Sequence, residues 1–240
     1  PIALVTRRMP SAVLAPLYST CDVDLHDHSH PLSHAELCAR LVGKHGLICM
    51  FNDLVDEVAL SAGDKLKAIA TVAVGVDNID VSAAAARGIV VTNTPDLLTG
   101  ATAELTWALL LAVMRRIGEG DRLVRNGSWR GWAFDLMLGT ELRGKQLGIV
   151  GSGRIGQAVA AIAPVFGMRA VYAARSERNV RNTALAAPIL SLDELLLTSD
   201  VVSLHLPLTE DTRHLINRRT LIRMKRSAFL INTSRGGVVD

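Results

Sequence analysis

Gly151-Ser152-Gly153-Arg154-Ile155-Gly156 sets three glycines in a G-x-G-x-x-G spacing. The apolar run Gln146-Leu147-Gly148-Ile149-Val150 precedes it and an amphipathic stretch follows. A strand, a glycine turn and a helix in that order suit a dinucleotide pyrophosphate. One glycine permits the tight turn, one lets backbone approach the phosphates, and one lets helix and strand pack closely. The first turn of the helix then offers free amides and a positive dipole end. Gly151, Gly153 and Gly156 are therefore candidate cofactor contacts.

A cofactor with a free ribose needs an acid about 20 residues further on, at the end of the next strand. Here Val171-Tyr172-Ala173-Ala174 runs into Arg175-Ser176-Glu177-Arg178. A guanidinium and a hydroxyl stand where the acid would be, and a 2′-phosphate dianion needs such donors. NADP(H) is expected over NAD(H), with Arg175 and Ser176 at the phosphate. Glu177 reaching the ribose is the alternative, and it keeps NAD(H) possible. A second candidate is Arg235, in Ile231-Asn232-Thr233-Ser234-Arg235-Gly236-Gly237. Carboxyl ends of strands border the ligand crevice of an open parallel sheet. An arginine there can fork onto a carboxylate or a keto oxygen; a surface arginine in a glycine turn is the plainer alternative.

These residues need a parallel α/β frame to bring them together. Short apolar runs read as strands at 2–5, 22–25, 47–51, 68–74 and 89–91, with helices over 34–42, 54–60 and 81–87 between them. A long helix follows over 99–117, apolar on most faces through Leu105, Trp107, Leu109, Leu110, Leu111 and Val113, and so expected to be buried. Arg115 and Arg116 suit its last turn. A second series has strands at 146–150, 169–173, 189–190, 201–206 and 228–231, and helices over 154–166 and 192–197. Alternating strands and helices imply parallel sheets covered on both faces. The boundary is placed at Pro95, giving domains over 1–95 and 96–240.

The bulk properties fit. At 240 residues and roughly 150 per domain, one to two domains are expected. With 49% hydrophobic and 20% charged residues the chain is globular rather than disordered. Aromatics are only 4%, so aliphatic side chains and alanine must fill the core. No apolar run approaches the roughly 18 residues of a membrane span, and no membrane partner is expected. Arg7 and Arg8 interrupt the first apolar stretch, which speaks against a secretory signal. Three cysteines at irregular spacing give no disulfide framework, as in a cytoplasmic protein. A net charge of +3 mildly favours anionic partners.

Further motifs carry a family resemblance over nearly the whole chain, strongest after Leu66. They are Val74-Gly75-Val76-Asp77-Asn78-Ile79-Asp80, Val91-Thr92-Asn93-Thr94-Pro95-Asp96, Ala103-Glu104, Gly120-Asp121-Arg122, Gly127-Ser128-Trp129, Leu142-Arg143-Gly144-Lys145, His205-Leu206-Pro207-Leu208-Thr209 and the run from Asn232 to Asp240. With the glycine loop, they make the chain resemble the D-isomer-specific 2-hydroxyacid dehydrogenases, and among them most the glyoxylate/hydroxypyruvate reductases. The resemblance implies two domains. One is a flavodoxin-like substrate domain; the other is a Rossmann-type dinucleotide-binding domain that begins with a long interdomain helix and is C-terminally incomplete. It implies reduction of a small 2-oxo acid to the D-2-hydroxy acid by hydride transfer, with the cofactor carrying the hydride. Val74 and Gly75 would hold the substrate carboxylate through backbone amides. Arg235 would bind and polarise the substrate, as the catalytic residue of this chain. Thr99, Arg154, Ile155, His205, Leu206, Pro207, Thr212, Thr233 and Ser234 would meet the cofactor. The family's general acid, a histidine oriented by a glutamate, lies beyond the equivalent of Asp240. A truncated chain with an unpaired sheet edge is therefore expected. The family habit also implies a homodimer. A dinucleotide-sensing, corepressor-like protein on the same fold is the alternative from another class. A dehydrogenase for phosphite, 3-phosphoglycerate or 2-ketogluconate is the alternative within enzymes.

Two clusters are set aside. His26, His28, His30 and His34 are broken by Pro31 and suggest no ligand geometry, so no metal is expected. Arg213, Arg218, Arg219, Arg223, Lys225 and Arg226 lack interleaved aromatics and read as a solvated face, so no nucleic acid is expected.

Overall fold

Short aliphatic runs, most of them followed by a helix, build two parallel sheets. The computed structural model describes residues 1–174 and 187–240, in two units, Pro1–Leu98 and Thr99–Asp240.

The first unit runs β1 (Ile2–Val5), α1 (Ser11–Tyr18), β2 (Asp22–Leu25), α2 (His34–Leu41), β3 (Gly46–Cys49), α3 (Glu57–Ala62), β4 (Ala68–Thr71), α4 (Val81–Ala86) and β5 (Val90–Thr92). All strand pairs are parallel, in the order β2-β1-β3-β4-β5. That is the flavodoxin-like order. Ser33 and Glu36 close a capping box on α2, and the side chains of Asp56 and Asp80 cap α3 and α4. These helices press Leu37, Leu41 and Leu60 against Leu4, Leu47 and Ile69 of the sheet, all buried. Each such side chain contributes about 1.5–3 kcal/mol through burial.

Several expected bounds move. α1 was not expected; it holds Pro16, and Pro10 at its start supplies no side-chain cap, so the sequence gives no start signal. α3 begins at Glu57 rather than at residue 54, because Val55 forms a parallel bridge with Ile79 and Asp56 is the cap. β3 and β4 stop at Cys49 and Thr71, short of the expected 51 and 74. The Met50 amide is drawn to the Asp53 carboxylate at 2.7 Å instead of to a strand. After Val72, whose amide reaches the Cys49 carbonyl at 2.9 Å, the chain turns off the sheet.

The second unit runs α5 (Thr99–Met114), α6 (Ile117–Arg125), β6 (Gln146–Val150), α7 (Arg154–Ile162) with a 3-10 turn Ala163–Phe166, β7 (Arg169–Ala173), α8 (Leu192–Thr198), β8 (Val201–Leu204), α9 (Arg218–Leu221) and β9 (Phe229–Asn232). The sheet is parallel, in the order β7-β6-β8-β9. Ile189 adds a single parallel bridge to Tyr172 outside β7, where a third strand was expected. Pro188 has no amide to give; its carbonyl accepts from Tyr172, and Leu190 donates back to Tyr172, both at 2.8 Å. Counting Ile189, the order follows the Rossmann pattern around a buried β6.

The helices also differ from expectation. α5 ends at Met114, whose carbonyl accepts from Thr140 at 2.8 Å, and Arg116 turns left-handed at φ 55° to start α6. Arg115 and Arg116 therefore lie outside the last turn of α5. Nor is α5 buried on most faces. Ala103, Trp107, Leu110 and Met114 enter the core, whereas Leu105, Leu109 and Val113 form an exposed stripe at i, i+4, i+8. The expected helix over 154–166 breaks at Pro164, which tightens its last turn.

Candidate dinucleotide and carboxylate sites

At the carboxyl end of β6, β7 and β8 the second unit holds a cavity of about 520 Å³, within the range of small-ligand sites. Gly151, Gly153, His205, Leu206, Pro207 and Thr212 line it. The glycines have separate physical reasons. Gly151 has φ 103°, and a Cβ there would sit 2.4 Å from the His205 carbonyl oxygen. A Cβ on Gly156 would lie 2.2 Å from the Gly151 carbonyl oxygen, so the helix can only approach the loop this closely without a side chain. A Cβ on Gly153 would meet nothing within 4 Å. Its side of the loop is open to a ligand. Among the described residues, the amides of Ser152, Gly153 and Ile155 donate to no group. They sit at the start of the nine-residue α7, where a phosphate is favoured. Trp107 of α5 fixes that helix: its indole N–H donates to the Val159 carbonyl at 3.0 Å, and its ring stacks on Phe166 at 4.7 Å. Arg154 and Ile155 occupy the first turn of α7. The donor set, the open glycine and the cavity fit a dinucleotide.

The cavity wall explains other candidates. His205 Nε2 lies 2.8 Å from Ser203 Oγ. Burial pushes its pKa down to about 4, so the ring is neutral near pH 7. Thr212 donates its hydroxyl to the Pro207 carbonyl at 2.7 Å and accepts from the Thr209 amide at 2.8 Å, so it shapes the turn that forms the wall. Ala173 and Ala174 line the cavity at the end of β7, with no carboxylate at that point. Arg175 and Ser176 lie outside the described residues.

The β9 turn is built by Asn232. Its side-chain oxygen accepts from the Ser234 amide at 3.0 Å and hydroxyl at 2.8 Å, and its Nδ2 donates to the Arg235 carbonyl at 2.9 Å. Thr233 Oγ1 lies 2.8 Å from Thr106 Oγ1 of α5. Arg235 follows, half-buried, with Nη1 3.2 Å from the Ser234 carbonyl. Thr99 opens α5, half-buried.

In the first unit, residues 74–76 leave the end of β4. Among the described residues, no group accepts from the amides of Val74, Gly75 or Val76. The Val74 carbonyl is held by Asn93 Nδ2 at 2.7 Å. Consecutive unpaired amides at a sheet's carboxyl edge are candidate donors to an anion. Val74 and Gly75 belong to this first-unit loop, whereas Arg235 and the glycine loop belong to the second unit.

Sequence reasoning missed Leu190, Ser191 and Leu192, which also line the cavity. Their signal was the Ser191–Glu194 capping box, which fixes where α8 starts and so where its first residues face. Asp211 in the 207–212 turn was missed too and carried no signal.

A family model described as D-isomer specific 2-hydroxyacid dehydrogenase, NAD binding domain, matches residues 107–240. The chain belongs to this family. It is an NAD(P)-dependent oxidoreductase whose second unit is the NAD-binding domain. A glyoxylate reductase of Aeropyrum pernix is 46% identical over all of the chain and 73% of that protein's length. The TT0316 protein of Thermus thermophilus superposes with a TM-score of 0.92 at 49% identity, over all of this chain and 76% of the other. A D-lactate dehydrogenase of Aquifex aeolicus, solved with NAD and lactic acid, gives 0.84 at 29% identity, over all of this chain and 71% of the other.

Among the described residues no group of three His, Cys, Asp or Glu is arranged to hold a metal. The rings of His26, His28 and His30 pack on one another with centroids 4.9, 5.2 and 5.0 Å apart. Lys225 pairs with Asp200 at 2.9 Å and Arg223 with Asp193 at 3.2 Å. No helix among the described residues is long and apolar enough to cross a membrane.

Proposed function

We propose that this family member reduces a small 2-oxo acid, glyoxylate or hydroxypyruvate, to the D-2-hydroxy acid, with NADPH as the preferred cofactor. The observation that carries this is the row of free amides at Val74, Gly75 and Val76, a receptor for a carboxylate in a dehydrogenase of this family. The nicotinamide, when bound, supplies the hydride. Arg235 forks onto the substrate carboxylate and carbonyl, binding the acid and drawing electron density from the carbon to be reduced. The glycine loop and the first turn of α7 hold the pyrophosphate, His205, Leu206 and Pro207 the adenosine side, and Thr99, Thr233 and Ser234 the nicotinamide side. In this reading the first unit binds substrate.

The NADPH preference is supported by the alanines at the end of β7 and by Arg175 and Ser176 beyond them in the sequence. NADPH oxidation with glyoxylate, compared between wild type and Arg235→Ala, tests the main reading. A loss of roughly 100- to 1,000-fold in kcat/KM, with NADPH affinity unchanged, is expected. Equal kcat/KM in the variant removes Arg235 from the mechanism. Arg175→Asp should lower the NADPH-to-NADH preference about tenfold or more; an unchanged ratio removes the phosphate role. A homodimer through the exposed stripe of Leu105, Leu109 and Val113 belongs to the same reading, because a monomer would leave this apolar face in water. Light scattering at micromolar concentration decides it.

A further inference from the structure

The core of the first unit is mostly aliphatic, with a polar exception at the carboxyl edge of β1 and β3. There the Asp53 side chain, 1% exposed, meets that of Arg7, 12% exposed, at 3.2 Å. Thr6 Oγ1 and the Met50 amide donate to the second carboxylate oxygen of Asp53. Arg7 Nη2 also reaches Asn52 Oδ1 at 3.1 Å. Asn78 Nδ2 donates to the carbonyls of Asp53 at 2.8 Å and Met50 at 3.1 Å. Arg7 Nη1 and Asn78 Oδ1 are buried, and no described group pairs with either.

Such a cluster is a poor stabiliser. A buried ion pair gains little over packed apolar side chains of the same volume. Each buried polar atom left unpaired weakens the fold further. Breaks in an apolar interior tend to sit where a site needs one geometry. Here two loops receive it. Asp53 gathers residues 50–53 around its carboxylate, and Asn78 ties that loop to the turn closing residues 74–78. In that turn the Ile79 amide donates to the Val76 carbonyl at 3.0 Å and the Val55 amide to the Asn78 carbonyl at 2.8 Å. The free amides of residues 74–76 are thus held from Asn78 on one side and from Asn93 on the other.

We propose that Arg7, Asp53 and Asn78 are positioning residues that aim the amides of residues 74–76 at the carboxylate of a small 2-oxo acid. This rests on residues 74–76 being the carboxylate receptor. The three side chains act through the loop, so their effect falls on substrate binding and spares the cofactor, which the second unit holds.

The test is steady-state kinetics with glyoxylate, NADPH titration by fluorescence, and thermal unfolding of the purified enzyme. Arg7→Lys keeps the charge but ends one bond short of Nη2, the atom that reaches both Asn52 and Asp53. Asn78→Asp keeps the shape but turns a donor into an acceptor facing two carbonyls. Both should raise KM about tenfold with kcat within about threefold, the pattern of lost uniform binding. NADPH affinity should not change. Asn52→Ala removes only the exposed arm and should raise KM about threefold; it decides the matter with Arg7→Lys if Asn78→Asp does not fold. Unchanged KM in variants that melt like wild type overturns the proposal. So does a rise in KM accompanied by a matching loss of NADPH affinity and melting temperature, which marks a purely structural network. Val76→Pro separates the two levels by deleting one amide donor. Unchanged KM there defeats the receptor itself, whereas raised KM there with unchanged KM in the Arg7 and Asn78 variants defeats only the network.

Discussion

The glycine loop of the second unit and the 74–78 loop of the first solve one problem by different means. Both leave the carboxyl end of an inner parallel strand and both present unpaired backbone amides. The glycine loop is fixed by backbone: Gly151 stands at φ 103°, Gly156 lets α7 touch the loop, and the helix supplies the dipole. The 74–78 loop has no helix start behind its amides. Side chains hold it instead, from Asn78 and Asn93 back to a buried Asp53. A loop fixed by missing atoms should fail sharply when an atom is added. A loop fixed by several hydrogen bonds should loosen in steps.

The sharpest break of that comparison is Gly156→Val. Its Cβ alone would lie 2.2 Å from the Gly151 carbonyl oxygen, so the loop must open, and NADPH affinity should fall by roughly 100-fold or more. Fluorescence titration reads it, and near-wild-type affinity would show that α7 can slide away at little cost. Next comes the cavity wall. Folded His205 stays neutral down to about pH 4, whereas an unfolded histidine takes up its proton near 6.5. Between those values the unfolded state binds more protons, so stability falls as pH drops through the window and levels off below it. The loss approaches about 3 kcal/mol. Urea unfolding at pH 7 and 4.5 should show a smaller drop in His205→Asn than in wild type; equal drops would mean the ring is not held neutral. On the other side, Asn93→Ala removes a single tether of Val74 and should raise KM for glyoxylate only about fivefold, with NADPH affinity intact. Smallest is Thr106→Val, which deletes the contact to Thr233 Oγ1. It should lower kcat/KM about threefold by loosening the turn that carries Arg235, and Thr106→Ser should restore it. A larger effect in Thr106→Val than in Asn93→Ala would reverse the ranking of the two sites.

The glycine loop was legible in the sequence because its turn and its close helix packing need glycine, and residue types are what a sequence displays. The strands around it were legible as apolar runs, but their ends were not. The runs 47–51, 68–74 and 201–206 read as whole strands, yet pairing stops at Cys49, Thr71 and Leu204. The leftover residues, Met50 to Phe51, Val72 to Val74 and His205 to Leu206, form the loops at the candidate sites. An apolar run records which residues avoid water, and a ligand pocket asks for that as much as a sheet does. Likewise Leu105, Leu109 and Val113 made α5 read as buried, although the chain leaves their stripe exposed.

Sequence alone determined the fold class, the family resemblance, the glycine loop between a strand and a helix, and Arg235 just after a strand. Each of these depends on local spacing or on the order of motifs along the chain. Only the tertiary structure decided that Thr212 spends its hydroxyl within its own turn and that Leu190 to Leu192 complete the cavity wall. It also decided that Arg7, Asp53 and Asn78 meet beneath the 74–78 loop. These are contacts between side chains and backbone brought together by crossovers. Their partners are fixed by the stacking of strands in the sheet, which no single stretch of sequence encodes.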